Sequence, residues 1–146
     1  MTLLRRCEVG KPLEVLLVED DEADVELTKE SLNHSKLFIN LNVVGDGVSA
    51  LEYLRNSDTV KPDLIILDLN MPKKDGHETL REIRSDEDLK GYPVVMLTTS
   101  DAMEDVKKCY RDGANSYVTK PVDFEQFRKI VQDVTNFWFT VVRLPN

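Results

Sequence analysis

The sequence predicts an α/β protein: a doubly wound parallel sheet of the (βα)5 type, folded as one domain. Three observations carry this. Five short runs rich in Val, Ile and Leu each stop at a polar, Pro or Gly signal. They are apolar throughout rather than alternating, as in strands buried on both faces. Segments of helical period separate them. In order, Leu13–Val18 leads to helical Ala23–Asn33, carrying Leu27 and Leu32, and Leu41–Val44 leads to Val48–Leu54, carrying Val48, Leu51 and Leu54. Leu64–Leu67 precedes Gly76–Arg84 with Leu80 and Ile83, and Val94–Leu97 precedes Ala102–Tyr110 with Val106 and Cys109. After Tyr117–Val118, the residues Phe127, Ile130, Val131, Val134 and Trp138 recur at amphipathic helical spacing. Helix starts are marked by Asp75 before Glu78, Asp101 before Glu104 and Asp123 before Gln126, each an acid placed to accept from an orphan N–H. Gly113 stands where a left-handed residue closes the fourth helix. A chain of 146 residues buries roughly two-thirds of its unfolded surface and needs no covalent staples.

The formal net charge is −8, from 19 basic and 27 acidic side chains. That excess argues against nucleic acid and anionic lipid, which need clustered cations. Cys7 and Cys109 fit no metal spacing, and Cys109 shares a stripe with Ala102 and Val106, so it reads as a small core residue. Met1–Lys11 has no sustained apolar region of a signal peptide, and no run approaches the ~20 apolar residues of a membrane span. The expectation is a reduced, cytoplasmic protein off the membrane.

In parallel α/β sheets ligands bind beyond the carboxyl ends of the strands. Past the first run stand Glu19, Asp20 and Asp21, past the third Asp68, Leu69, Asn70, Met71 and Pro72, past the fourth Thr98, Thr99 and Ser100, and past the fifth Lys120 and Pro121. Taken singly, each acid reads as a helix cap and the lysine as a solvated charge. Together, carboxylates crowded at one rim repel unless a cation holds them, and Mg²⁺ suits few carboxylates, a carbonyl and water. A lysine and a hydroxyl beside them suit phosphoryl oxygens. The ensemble describes phosphoryl chemistry on a carboxylate, with Asp68 as nucleophile. Such a group adds about two negative charges to an acidic pocket. Thr98 is then drawn toward it, Tyr117 turns into the space behind, and the face of the fourth helix, fifth strand and fifth helix changes shape. The plainer role for Tyr117 is a half-buried aromatic with its hydroxyl in water. Asn70 and Ser100 are expected to flank the path of an attacking water.

The segments Val18-Glu19-Asp20-Asp21, Leu67-Asp68-Leu69-Asn70-Met71-Pro72 with Asp75-Gly76, Leu97-Thr98-Thr99-Ser100 and Tyr117-Val118-Thr119-Lys120-Pro121 resemble the motifs of bacterial response-regulator receiver domains, in order and spacing over residues 13–135. The resemblance implies a flavodoxin-like strand order 2-1-3-4-5 and a single receiver domain over 1–146, with an N-terminal extension 1–12 and an apolar tail 136–146. Asp68 would accept the phosphoryl group from a histidine kinase. Asp20, Asp68 and the backbone carbonyl of Asn70 would bind Mg²⁺, and Glu19 would act through water. Lys120 would pair with the phosphoryl oxygens across a cis Lys120–Pro121 bond, with Thr98 and Tyr117 as the switch pair. It implies a phosphoacceptor signalling protein rather than an enzyme, open to slow self-dephosphorylation.

The tail from Phe137 to Pro145 is too apolar for a free terminus, and its three successive aromatics cannot share one core stripe. Either it folds back on its own domain, or Phe137, Trp138, Phe139 and Val141 form a homodimer seam together with the fourth helix, fifth strand and fifth helix. The tail, with Lys73–Gly76 and Asp86–Leu89, resembles the small regulators paired with cyanobacterial phytochromes, which implies a phytochrome kinase as partner. Two other readings stay open. A haloacid-dehalogenase-type phosphohydrolase also uses Asp, Thr, Lys and Mg²⁺, but resembles Asp-x-Asp at the nucleophile, where Asn70 stands here. A receiver fold used as an unphosphorylated adaptor is the other.

Overall fold

The structure, a computed structural model, describes residues 12–145. Strands β1 (Leu13–Val18), β2 (Ile39–Val44), β3 (Leu64–Leu67), β4 (Val94–Thr98) and β5 (Ser116–Thr119) alternate with helices α1 (Glu22–Asn33), α2 (Gly47–Arg55), α3 (Gly76–Ser85), α4 (Met103–Arg111) and α5 (Phe124–Asn136). All pairings are parallel and the order is β2-β1-β3-β4-β5, as expected. The three central strands are buried almost throughout, which is why their runs are continuously apolar, whereas edge strands β2 and β5 are half-buried.

Alternate strand residues feed two cores. Leu16, Val18, Ile65, Leu67 and Met96 pack under α2, α3 and α4. Val15, Leu17, Leu64, Ile66 and Leu97 pack under α1, α5 and the tail.

Helix starts follow the acid signals with one exception. Asp21 accepts from the N–H groups of Ala23 and Asp24, Asp75 from Glu78, and Asp123 from Glu125 and Gln126. Asp101 does not cap α4. The helix begins two residues later, and the Ala102 N–H is taken by Ser100 Oγ instead. Gly113 has φ +103°, and Gly113 and Ala114 donate back to Tyr110 and Cys109, the paired bonds of a Schellman closure. The expected α4 stripe reduces to one residue: Cys109 is fully buried, while Ala102 is exposed and Val106 half-buried.

The tail divides. A π-helical turn, Phe137–Val141, widens the end of α5, with Val142 N–H donating to the Phe137 carbonyl. Phe139 and Leu144 enter the core beside Leu37, Phe127 and Val131, and Trp138 packs at its edge. Phe137 and Val141 remain outside, at 50% and 72% exposure. So the folded-back alternative holds for Phe139, Trp138 is half-buried, and of the expected seam residues Phe137 and Val141 are the exposed ones. Of the expected N-terminal extension, residues 1–11, including Cys7, lie outside the described residues.

Candidate functional site

Parallel strands end at one rim, and the hydrogen-bond ladder runs one residue past their ends. Glu19 N–H donates to the Val44 carbonyl, Asp68 N–H to Val18 and Lys120 N–H to Thr98, at 3.0, 3.1 and 2.7 Å. The backbones of the acids and the lysine are therefore pinned by the sheet itself. Behind Asp68 the chain returns closely: Gly76 N–H donates to the Leu69 carbonyl, and a Cβ on Gly76 would lie 2.3 Å from the Asp68 carbonyl oxygen. Only glycine fits there.

Carboxylate oxygens of Glu19, Asp20 and Asp68 lie within 4.8 Å of one another. Glu19 and Asp68 are buried, and Asp20 is exposed. Three hard oxygen donors at that separation, with one side open to water, fit a small divalent cation. Asn70 lies in the same turn with its side chain exposed. Asp68 Oδ1 accepts from the Leu69 N–H at 2.9 Å, leaving Oδ2 facing Lys120 Nζ at 3.6 Å. Lys120 Nζ is bonded to Glu19 Oε1 and, at 2.8 Å, to Asp24 Oδ2.

One ammonium thus faces three carboxylates, those of Glu19, Asp24 and Asp68. Burial and then the charge of Asp68 push the Glu19 carboxyl up to about 7, against the opposing bond from Lys120. Burial alone would lower Lys120, but its bonds to Asp24 and Glu19 and the charge of Asp68 hold its pKa above the ordinary lysine value. The lysine stays charged, and of the crowded carboxyls Glu19 carries the cost of the surplus negative charge, as a raised pKa.

Thr98 is fully buried and its hydroxyl has no partner. A buried hydroxyl without an acceptor is costly unless something completes it. Tyr117 is half-buried, and its hydroxyl donates to the Ser100 carbonyl at 2.8 Å rather than standing in water alone. Ser100, expected beside a water path, has its hydroxyl committed to Asp105 Oδ2 at 2.6 Å.

The expected cis Lys120–Pro121 bond is not found; no peptide bond among the described residues is cis. Lys120 reaches all three acids with the bond in its intrinsically favoured trans form. Asp24 was not among the sequence candidates. It stands three residues after the cap Asp21 and so carries the ordinary signature of a helix start.

The family model for the response regulator receiver domain matches residues 15–132. The chain belongs to the response-regulator receiver family. Receivers are signalling domains that take phosphoryl groups from histidine kinases. This receiver is similar to response regulator Rcp1 of Synechocystis sp., at 42% identity over 142 residues that cover 94% of this chain and 97% of Rcp1. Among solved structures it is similar to the phosphorylated cyanobacterial phytochrome response regulator RcpA, with 41% identity, a TM-score of 0.89 and coverage of 93% and 100% of the two chains. It is also similar to the Mn²⁺-bound form of Rcp1, with 42% identity, a TM-score of 0.87 and coverage of 92% and 100%. A divalent metal suits the receiver's acidic trio. No helix among the described residues is long and apolar enough to cross a membrane.

Proposed function

We propose that this receiver accepts a phosphoryl group on Asp68 from a phytochrome histidine kinase in a Mg²⁺-dependent reaction, and signals through its α4–β5–α5 face as a homodimer. The observation that carries the site is a buried carboxylate 3.6 Å from a buried ammonium, on a rim where the buried Thr98 hydroxyl lacks an acceptor. The free Oδ2 of Asp68 attacks phosphorus, and the phosphorus–nitrogen bond of phosphohistidine breaks with its electron pair leaving on nitrogen. A Mg²⁺ held by Asp20, Asp68 and the Asn70 carbonyl, with Glu19 acting through water, would neutralise charge on the transferring group. Lys120 exchanges Asp24 and Glu19 for a phosphoryl oxygen, and Thr98 donates its hydroxyl to another. The phytochrome assignment is supported by the likeness to Rcp1 and RcpA. The homodimer is supported by the exposed Phe137 and Val141.

The test is incubation with phosphorylated phytochrome kinases and with a small phosphodonor, with and without Mg²⁺, read by intact mass. One acid-stable, base-labile phosphoryl group per chain, absent in Asp68→Ala, is expected. Incorporation that survives in Asp68→Ala overturns the site. Transfer from unrelated kinases as fast as from phytochromes overturns the partner.

A further inference from the structure

A second polar cluster, made of residues other than the acidic trio and Lys120, joins four elements. Cys109 Sγ on α4 lies 3.7 Å from His77 Nδ1 in the first turn of α3, and His77 Nε2 lies 3.2 Å from Asp105 Oδ1 on α4. The other oxygen of Asp105 accepts from Ser100 in the β4–α4 loop at 2.6 Å, and the Ser100 carbonyl accepts from the Tyr117 hydroxyl on β5 at 2.8 Å. A carboxylate only accepts, so Nε2 carries the imidazole proton and Nδ1 accepts from the thiol. Every donor in this relay of five side chains then has an acceptor. The Asp105 carboxyl is held below its usual range by the Ser100 bond and then the His77 bond, so it is charged.

What makes the cluster consequential is how little else holds α4. The helix buries only Cys109, has no side-chain cap, and leaves Met103 and Tyr110 at 61% and 49% exposure. Packing alone leaves its pose loosely defined. Apart from a bond from the Tyr117 N–H to the Tyr110 hydroxyl at 3.1 Å near its C-terminal end, Asp105 supplies the definition, toward α3 on one oxygen and toward the loop that follows Thr98 on the other. The first turn of α3 is in turn held against the Asp68 strand end by the Gly76–Leu69 bond.

We propose that Asp105 is a positioning residue of the switch: its carboxylate clamps α4 between His77 and Ser100, so that a displacement of Thr98 reaches α4 through Ser100 and Asp105. This rests on Thr98 moving when Asp68 is phosphorylated, but the clamp itself is testable without that step.

The experiment is amide hydrogen exchange over residues 101–111 of the full chain, before and after phosphorylation, in the wild type, Asp105→Leu, Asp105→Asn and Ser100→Ala, with phosphoryl content read by mass. In unphosphorylated protein, loss of the clamp in Asp105→Leu and Ser100→Ala is expected to speed exchange in this segment roughly tenfold, with the sheet unchanged. After phosphorylation the wild-type segment shifts, whereas in Asp105→Leu the shift falls below about twofold at equal phosphoryl content. Asp105→Asn keeps the shift, since its amide oxygen still accepts from Ser100 and its NH2 donates to His77 Nε2 once the imidazole proton moves to Nδ1, where it faces the Cys109 sulfur. Unchanged exchange in unphosphorylated Asp105→Leu overturns the clamp, as does a full phosphorylation shift in that variant. Loss in Asp105→Asn as complete as in Asp105→Leu also overturns it, because charge rather than the tie would then be responsible. Absence of phosphoryl incorporation in the wild type would fall on Asp68, with the unphosphorylated comparison still deciding the clamp.

Discussion

Lys120 is the only ammonium facing Glu19, Asp24 and Asp68 among the described residues, and its side chain is 5% exposed. Removing one partner of such a cluster strands the others, at a typical cost of about 3–5 kcal/mol. Urea unfolding of Lys120→Ala should show a loss of that order without metal and a partial recovery on adding Mg²⁺, and phosphorylation should slow. Glu19 sets a pH dependence. Its carboxyl titrates near 7 in the fold against an ordinary value of 4.5. Between those values the folded chain binds more protons than the unfolded one, so this group makes stability fall as pH rises, and the penalty is complete above about 7. In metal-free protein Glu19→Gln should flatten thermal stability between pH 5 and 8 relative to wild type; an unchanged slope would exclude Glu19 as the cause. Glu19, Asp20, Asp68, Thr98 and Lys120 were legible in the sequence because each ends an apolar run, and parallel strands bring such ends together. Asp24 and Asp105 were not, because their significance lies in side-chain bonds between elements, and no spacing along the chain encodes those.

Elements were legible in kind more than in extent. The central strands announced themselves because burial on both faces forces an unbroken apolar run. Edge strands β2 and β5 each extend beyond their apolar runs, since a half-buried strand tolerates Asn40 or Ser116. The helix stripe at α5 was read with a regular period, which gives Trp138 to the core. The π-helical turn adds a residue to the period, so Phe139 goes fully under, at 2% exposure, while Trp138 packs half-buried at the edge of the same core. Phe139→Ala should therefore cost about 3–5 kcal/mol in equilibrium unfolding, as core phenylalanines do. Gly113→Ala should also destabilise, by about 1–3 kcal/mol, since φ there is left-handed and a Cβ would stand 3.0 Å from the Arg84 side chain. A loss below the noise for Phe139→Ala would mean that the tail is not docked in solution.

At the scale of the whole molecule, the divided tail changes how the proposed dimer must be tested. Truncation after Asn136 removes Phe139 and Leu144 from the core along with any seam, so a lost dimer would be indistinguishable from a damaged fold. Phe137 and Val141 are separable from the core because both are exposed. Phe137→Asp with Val141→Asp should abolish dimerisation in sedimentation and, compared at concentrations where the wild type is monomeric, shift the unfolding midpoint less than Phe139→Ala, which should show the reverse emphasis. A symmetric seam brings the same patch of both protomers together, so the double variant gathers four new carboxylates in one seam and adds like-charge repulsion to the loss of apolar contact. The net charge of −8 per chain gives a second handle. Two such protomers repel at long range, and the Debye length shrinks from about 10 Å at 0.1 M salt to about 3 Å at 1 M. An apolar seam between acidic protomers should therefore tighten as salt rises. A dimer that weakens with salt would be held by ion pairs, and Phe137 and Val141 would not be its core.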